Sequence, residues 1–162
     1  MIIPAVKLIH AFAGLWVLLV LMPGIIDAEN IRLTVRGDDI GMTQGSVEAF
    51  EKAFNRGILT CASLQVVAPW FESAANLVKK NQKWCVGIHL SLIGEWVGYR
   101  ERPVLPWDKV SSLVDEEGFL YQSPDELWSK KPKYEEIEAE FRAQINLALK
   151  RVSRSSISIC IT

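Results

Sequence analysis

The fold of this chain is decided by the stretch Ile31-Arg-Leu-Thr-Val-Arg-Gly-Asp38-Asp39-Ile40-Gly41, which alternates and ends on two carboxylates and a glycine. Alternation of this kind predicts a strand over residues 31–36, with both acids at its carboxyl end. A later strand is predicted over Cys85-Val-Gly-Ile-His89-Leu90, and it ends near another side chain of metal-ligand type. If the two strands are parallel, they deliver an Asp pair and a His to one rim. That arrangement would suit a hard cation with a spare carboxylate as base.

Predicted strands and helices alternate through the first half of the chain. Residues 46–55 and 71–80 have helical periodicity, and the β-branched and apolar residues of 58–67 indicate a buried strand between them. Nearly continuous apolar strands separated by helices favour parallel βαβ units, so we expect an α/β fold. Three or four strands are too few to close an eight-stranded barrel.

The second half begins with a long irregular segment and ends with a clear helix. Residues 91–133 contain repeated Gly and Pro without a sustained period, which is typical of a binding loop or a lid. A helix is predicted over 134–150, with acids in its first turn and bases at its end, as the helix dipole favours. The predicted buried face of this helix is apolar and consists of Tyr134, Ile137, Phe141, Ile145 and Leu149.

The first 28 residues have the pattern of a secretory signal peptide. Lys7 precedes an apolar run over 11–22, Pro23-Gly24 breaks the run, and Ala28 offers a small residue for cleavage. The alternative is an uncleaved membrane anchor. Either one would place the folded part, residues 29–162, outside the cytoplasm as one domain. The net charge of −1 and the lack of a basic patch in the sequence do not favour a nucleic-acid partner.

Each candidate residue of the rim has two interpretations. Asp38 and Asp39 lie at the edge where parallel α/β folds bind ligands, but Asp also caps turns and helices. His89 is either a metal ligand or a hydrogen-bonded residue of the core or rim. A mixed Asp/His site would suit Zn, Mn, Ni or Mg, with water in the open positions. Two protein ligands alone make a weak site.

The irregular segment is rich in aromatic residues. Trp96, Tyr99 and Arg100 are the candidates for sugar binding, because the apolar face of a sugar packs on a ring beside hydrogen-bonding groups. Trp107 and Trp128 are better interpreted as anchors that hold the segment on the domain.

Four motifs, in order along the chain, resemble one known family. They are Thr34-Val-Arg-Gly-Asp38-Asp39-Ile-Gly-Met42, Gly57-Ile-Leu-Thr-Cys-Ala-Ser63-Leu64, Val86-Gly-Ile-His89-Leu-Ser-Leu92 and Ser112-Leu-Val-Asp-Glu-Glu-Gly-Phe119. Residues 31–150 are thereby similar to the YdjC-like carbohydrate deacetylases, which include the chitooligosaccharide deacetylases. The resemblance implies a partial variant (β/α) barrel, without its C-terminal part. It also implies removal of acetyl groups from N-acetylated sugars with one divalent metal ion such as Mg or Zn.

The same resemblance implies a role for each residue of the rim. Asp38 would be the general base, and Asp39 and His89 would be metal ligands. The family's third ligand is a His on the strand after a helix like 134–150, and residues 151–162 contain no His. We therefore expect weakened metal binding and a truncated or frame-shifted product. Gly37 stands where the family has Ala.

Two functions of different classes follow from these expectations. The first is an exported, metal-dependent hydrolase that deacetylates sugars, and the second is a non-catalytic carbohydrate-binding remnant of such an enzyme. A third is an unrelated α/β metallohydrolase that cleaves a different bond. The expected partner is a small carbohydrate, with membrane contact only if the N-terminal segment is retained. A half-barrel with an unpaired strand edge is also expected to self-associate.

Overall fold

The computed structural model describes residues 33–96 and 98–152. The predicted signal peptide or anchor over 1–28 lies outside the described residues. So do the start of the first predicted strand and the tail over 153–162. Within the described part of the chain, no helix has the length and apolar character needed to cross a membrane.

Three parallel strands form the sheet that carries the rim. They are β1 (Arg36–Ile40), β2 (Cys61–Gln65) and β3 (Cys85–His89), arranged in the order β1-β2-β3. Both neighbouring pairs are parallel, with Arg36 opposite Cys61 and Gln65 opposite His89. The predicted α/β fold with parallel strands is therefore confirmed.

The first strand differs from its predicted position over 31–36. It begins at Arg36 and contains both acids, so Asp38 and Asp39 lie within β1 and do not follow it. The reason is where the partner strand β2 begins, because β1 can form hydrogen bonds to β2 only from that point on. β2 begins at Cys61, which is later than the predicted start at residue 58.

Two helices connect the strands. Helix α1 (Gln44–Asn55) starts two residues before its predicted start, because Thr43 caps it: the Thr43 hydroxyl accepts from the Ser46 amide and the Ser46 hydroxyl accepts from the Thr43 amide. Helix α2 (Phe71–Lys80) has its predicted bounds. Each strand–helix–strand unit is a parallel crossover, so all three strands end at the same edge of the sheet.

The sheet has one apolar and one polar face. Ala62 and Leu64 of β2 and Val86 and Ile88 of β3 belong to the main hydrophobic core. Successive side chains in a strand point to opposite faces, so Ser63 and Gln65 lie on the face that the core does not occupy. Both side chains are nevertheless buried. The polar face of the sheet thus carries the side chains of the rim.

The irregular segment over 91–133 is more ordered than its sequence indicates. It contains a short 3₁₀ helix (Trp107–Lys109), an antiparallel bridge between Val114 and Leu120, and helix α3 (Pro124–Ser129), which Ser123 caps. A second hydrophobic cluster belongs to this segment. Its buried members are Val110, Leu113, Val114, Leu120, Tyr121 and Leu127.

The last helix, α4 (Tyr134–Arg151), packs part of its predicted apolar face, with Ile137 on the second hydrophobic cluster and Ile145 on the main core, but its most buried residues lie beside that face. Its buried residues are Glu140, Gln144 and Ala148, whereas Tyr134, at the start of the predicted apolar face, is 75% exposed. The Glu140 carboxylate accepts from the backbone amides of Val104 and Leu105 at 2.8 and 3.0 Å.

Gln144, one turn further along α4, binds the start of the irregular segment. Its side chain accepts from the Ser91 amide at 3.0 Å and donates to the Ser91 carbonyl at 2.8 Å. One turn before Glu140 on the same helix, Glu136 accepts from the Ser112 amide and hydroxyl, both at 2.8 Å. The apolar pattern did not predict these polar contacts, because part of the surface that the helix packs against is backbone, whose amides and carbonyls need polar partners.

Candidate functional site

A bulge in β1 shapes the carboxylate end of the site. Between Gly37 and Ile40 the strand advances three residues while β2 advances two, and Asp39 has φ of +66°. Left-handed backbone is uncommon for a residue with a side chain, although Asp tolerates it better than most. A bulge re-aims side chains, so the two neighbouring acids no longer point to opposite faces as in a regular strand. Both reach the polar face, where Asp38 meets Ser63 and Asp39 meets His89.

Asp38 is held through one of its two oxygens. Its Oδ1 accepts from the Ser63 hydroxyl at 2.6 Å and from Arg36 Nε at 2.7 Å, and Arg36 Nη2 lies 2.7 Å away as an ion pair without hydrogen-bond alignment. Burial alone would raise the pKa of Asp38, but the hydrogen bonds from Ser63 and Arg36 and the positive charge of Arg36 outweigh it and lower the pKa. The side chain is 47% exposed. Asp38 is therefore an ionised carboxylate that solvent can reach.

His89 connects the two acids. Its Nδ1 lies 3.0 Å from Asp39 Oδ1 and 3.3 Å from the Ser63 hydroxyl oxygen. The single hydroxyl proton of Ser63 is already donated to Asp38, so it cannot also be donated to His89. The proton between His89 and Asp39 must then come from Nδ1. Asp38, Ser63, His89 and Asp39 form one connected array across three strands.

The Asp39–His89 pair has a geometry that suits two ligands of one cation. Two donor atoms bound at about 2.1 Å to an octahedral ion lie about 3 Å apart. The observed distance between Asp39 Oδ1 and His89 Nδ1 is 3.0 Å. No group of three or more His, Cys, Asp or Glu residues in 33–96 and 98–152 is arranged to hold a metal ion. The described residues therefore provide two donors, and oxygen ligands from water or substrate would fill the other positions.

A buried acid–amide pair lies beneath this rim. Gln65, opposite His89 in the register and 5% exposed, donates from Nε2 to Glu101 Oε1 at 2.9 Å. Glu101 is 2% exposed, and burial, together with the negative charges of Asp39 and Glu95, raises its pKa to about 7 despite the hydrogen bond from Gln65. Gln65 Oε1 and Glu101 Oε2 are both buried without a hydrogen-bond partner among the described residues. Glu101 is thus an acid that holds its proton close to neutral pH.

Two cavities share Asp39 and Trp96 in their lining. The small cavity has a volume of about 100 Å³, and its lining includes Gln65, His89, Leu92 and Ile93. The large cleft has a volume of about 440 Å³, and its lining includes Asp38, Met42, Thr43 and Tyr99.

The aromatic candidates are placed differently from one another. Trp96 and Tyr99 line the large cleft, next to the acids. Arg100 is engaged elsewhere: its guanidinium pairs with Asp115 and Glu117 and lies 4.2 Å from the centre of the Phe119 ring. The structure thus brings Trp96 and Tyr99 to the rim, whereas Arg100 is paired with other residues of the irregular segment.

Trp107 and Trp128 do not behave as buried anchors. They are 57% and 53% exposed, so the predicted anchoring role was wrong for most of their ring surface. The segment is held instead by its own hydrophobic cluster and by the polar face of α4.

Three residues of the site were not among the sequence candidates: Ser63, Gln65 and Glu101. The first two had a signal in the sequence, because two polar residues at alternate positions of an otherwise apolar strand indicate a polar face. Glu101 had none, since its burial depends on how the irregular segment folds over β2.

The fold and the site together define an α/β protein in which Asp38, Asp39 and His89 meet on one face of a parallel sheet. A family model described as YdjC-like protein matches residues 32–154, and the chain belongs to this family. The predicted resemblance is therefore confirmed.

Individual relatives agree with the family model. A carbohydrate deacetylase of Brevibacillus brevis is 37% identical over 116 residues, which are 71% of this chain and 42% of the relative. A carbohydrate deacetylase of Thermus thermophilus is 35% identical over 121 residues, 75% of this chain and 40% of the relative. The chain thus spans about two fifths of the length of these relatives.

A solved structure has a similar fold. It is a crystal structure from Enterococcus faecalis, described as a candidate cellobiose-phosphate cleavage protein, with a TM-score of 0.63 and 28% identity. The similarity covers 73% of this chain and 43% of that one.

Proposed function

We propose that this chain takes part in the metal-dependent removal of acetyl groups from N-acetylated sugars. The observation that carries the proposal is the connected array of Asp38, Ser63, His89 and Asp39 across three parallel strands. The printed function of the relatives, carbohydrate deacetylase, supports the same reaction.

Asp38 is the proposed general base. The described donors all reach its Oδ1, which leaves Oδ2 to accept a proton from water. Its lowered pKa keeps it ionised at neutral pH, so it is in the form that can accept that proton. The water oxygen then bonds to the amide carbon, the C–N bond breaks, and the proton passes to the leaving nitrogen. The products are acetate and the free amine.

Asp39 and His89 are the proposed holders of a divalent cation such as Mg or Zn. Their 3.0 Å separation is the observation that fits this role. When bound, such an ion would supply Lewis acidity for the amide carbonyl and for water. His89 would have to release its Nδ1 proton to bind the ion, and Asp39 would then exchange that hydrogen bond for a metal bond.

Trp96 and Tyr99 are the proposed contacts for the sugar. Both rings are substantially exposed and line the large cleft that also contains Asp38 and Asp39. An exposed ring offers a flat apolar surface to the C–H face of a sugar. Arg100 would contribute only if it left its ion pairs with Asp115 and Glu117.

The test is acetate release from N,N'-diacetylchitobiose by the full chain, measured with and without added divalent cation. We expect release only with cation. We also expect Asp38→Asn to lower it at least a hundred-fold while cation binding is kept. Asp39→Ala and His89→Ala should weaken cation binding, measured by calorimetry. Asp125→Asn, an exposed acid on α3, is the matched control and should change neither quantity.

A non-catalytic carbohydrate-binding protein is the second candidate. The observation that favours it is that residues 33–96 and 98–152 provide no group of three metal-ligating side chains. This function predicts sugar binding that depends on Trp96 and Tyr99, with no acetate release at any cation concentration. If the wild-type chain binds no stoichiometric divalent cation and releases no acetate, and Asp39→Ala and His89→Ala leave its sugar binding unchanged, catalysis by this chain is refuted and the second candidate stands.

A further inference from the structure

Two cysteines lie side by side at the start of neighbouring strands. Cys61 is the first residue of β2, Cys85 is the first residue of β3, and the two are direct partners in the parallel register. Neighbouring strands lie about 4.8 Å apart, and the Cα atoms of bridged cysteines lie about 4.4–6.8 Å apart. The register therefore places these two Cα atoms at a distance that a disulfide can span.

Both cysteine side chains lie on the same face of the sheet. Trp84 and Val86, on either side of Cys85, are on the side of the main hydrophobic core. Successive residues of a strand point to opposite faces, so Cys85 points away from that core. Ala62, which follows Cys61, also belongs to the core, so Cys61 points to the same face as Cys85.

Small molecules in solution can reach the pair. Cys85 is exposed and Cys61 is partly exposed, and the structure shows both as thiols. The pair is separate from the proposed metal-binding pair, because His89 lies at the other end of β3, about 13 Å along the strand from Cys85.

We propose that Cys61 and Cys85 are the site of a reversible disulfide bond between β2 and β3, whatever reaction the rim performs. The oxidant is a small-molecule disulfide such as oxidised glutathione. The Cys85 thiolate attacks one sulfur of the oxidant, which gives a mixed disulfide and releases one thiol. The Cys61 thiolate then attacks the sulfur of Cys85 and releases the second thiol. The two cysteines lose two electrons and two protons, and the oxidant becomes two thiols.

The geometry of the pair also makes the bond reversible. Directly opposed residues of a parallel pair have Cβ atoms about as far apart as the strands, about 4.8 Å, whereas bridged Cβ atoms are about 3.5–4.5 Å apart. The bond therefore draws the starts of the two strands together, and the resulting strain makes the bond easier to reduce. It also closes the chain from residue 61 to residue 85, which restricts the unfolded state and stabilises the folded one.

The test uses the full chain with Cys160→Ser, so that only this pair can react. With oxidised glutathione, the folded protein should lose both thiols in a thiol assay and become lighter by two hydrogen atoms in mass spectrometry. Digestion should yield a peptide pair joined through Cys61 and Cys85. An excess of reduced glutathione should restore both thiols. The midpoint of thermal unfolding should be higher in the oxidised form by about 5 °C or more.

The matched control is the same chain with Cys85→Ser and Val86→Cys. It has the same number of thiols, but one of them is moved a single residue along β3 to the core side of the sheet, away from Cys61. Its internal bond should form at least ten-fold more slowly. Thermal unfolding checks that the control folds. If it does not, the Cys160→Ser chain in denaturing urea replaces it, and the rate should fall by the same factor because the register is lost.

Three results would overturn the proposal. The first is that both thiols remain, or that each cysteine takes up glutathione without an internal bond. The second is a bond that forms as fast in the control or in urea as in the folded chain, because the strand register would not be its cause. The third is a bond that excess reduced glutathione leaves intact, because the site would not be reversible.

Discussion

Ser63 donates a 2.6 Å hydrogen bond to Asp38 from the neighbouring strand, and its oxygen also lies 3.3 Å from Nδ1 of His89. One buried hydroxyl therefore helps Arg36 to lower the pKa of the proposed base, and it also lies against His89. No other described side chain hydrogen-bonds to both Asp38 and His89.

Removal of this hydroxyl by Ser63→Ala should lower the free energy of unfolding by about 1 kcal/mol at pH 7. The pKa of Asp38 is lowered in the folded state, so its stabilising contribution is present above its ordinary value of 3.8 and is lost as the pH falls through the lowered pKa. The difference between variant and wild type should therefore shrink as the pH falls through the lowered pKa of Asp38. Urea denaturation over a pH series from 7 downward measures it, with exposed Ser111→Ala as control. A difference that stays equal across the series would contradict the assigned role of Ser63.

Glu101→Gln should stabilise the protein increasingly as the pH rises. The folded-state pKa of Glu101, about 7, lies above its ordinary 4.5. The stability that its neutral carboxyl contributes is therefore fully present below pH 4.5 and is lost as the pH rises through 7. Gln keeps the shape without the charge. Between pH 5 and pH 8 the free energy of unfolding of the variant should rise relative to that of wild type by at most about 3 kcal/mol.

Denaturation curves across that pH range measure the gain. The matched control is Glu116→Gln, which is exposed and should show no pH-dependent difference. A flat difference for Glu101→Gln would show that this carboxyl is ionised without cost in the folded protein.

Glu140→Ala should detach part of the irregular segment from α4. The substitution leaves the amides of Val104 and Leu105 without their acceptor, and we expect a loss of about 3 kcal/mol. Hydrogen exchange at these two amides should accelerate more than exchange in β2. Glu138→Ala, which removes an exposed pair with Arg142 on the same helix, should cost less than about 0.5 kcal/mol. Unchanged protection at residues 104 and 105 would refute the assigned contact.

Gly37→Ala, which restores the residue that the resemblance leads us to expect, should destabilise this chain. A Cβ at position 37 would lie 2.4 Å from Cε1 of Phe50, well inside contact distance. Overpacking of this kind costs about 1–3 kcal/mol. Because the obstacle is a side chain, the double variant Gly37→Ala/Phe50→Leu should recover most of the loss in thermal denaturation. Failure to recover would mean that the backbone of β1 requires glycine itself.

The sequence predicted features that depend on local pattern. Helix α2 has its predicted bounds, and the parallel order of strands followed from the alternation of apolar strands and helices. The Asp pair and His89 were found because the sequence pattern places them at or near the carboxyl ends of the predicted strands. Features that depend on a distant partner were not predicted. The bulge at Asp39 is a shift in the pairing of β1 with β2, so β1 alone does not predict it. The polar residues of α4 are buried because they bind the backbone of residues 91–112, which is distant in sequence.

Helix α4 holds the irregular segment through its peptide groups: the amides of Ser91, Val104, Leu105 and Ser112 and the carbonyl of Ser91. Peptide groups are the same whatever side chains the segment carries. Apart from the Ser112 hydroxyl, which also donates to Glu136, these attachment points place little restriction on the sequence of the segment, except where proline would remove a required amide. Aromatic and charged residues above the rim can be exchanged, and specificity altered, while the helix beneath them stays as it is.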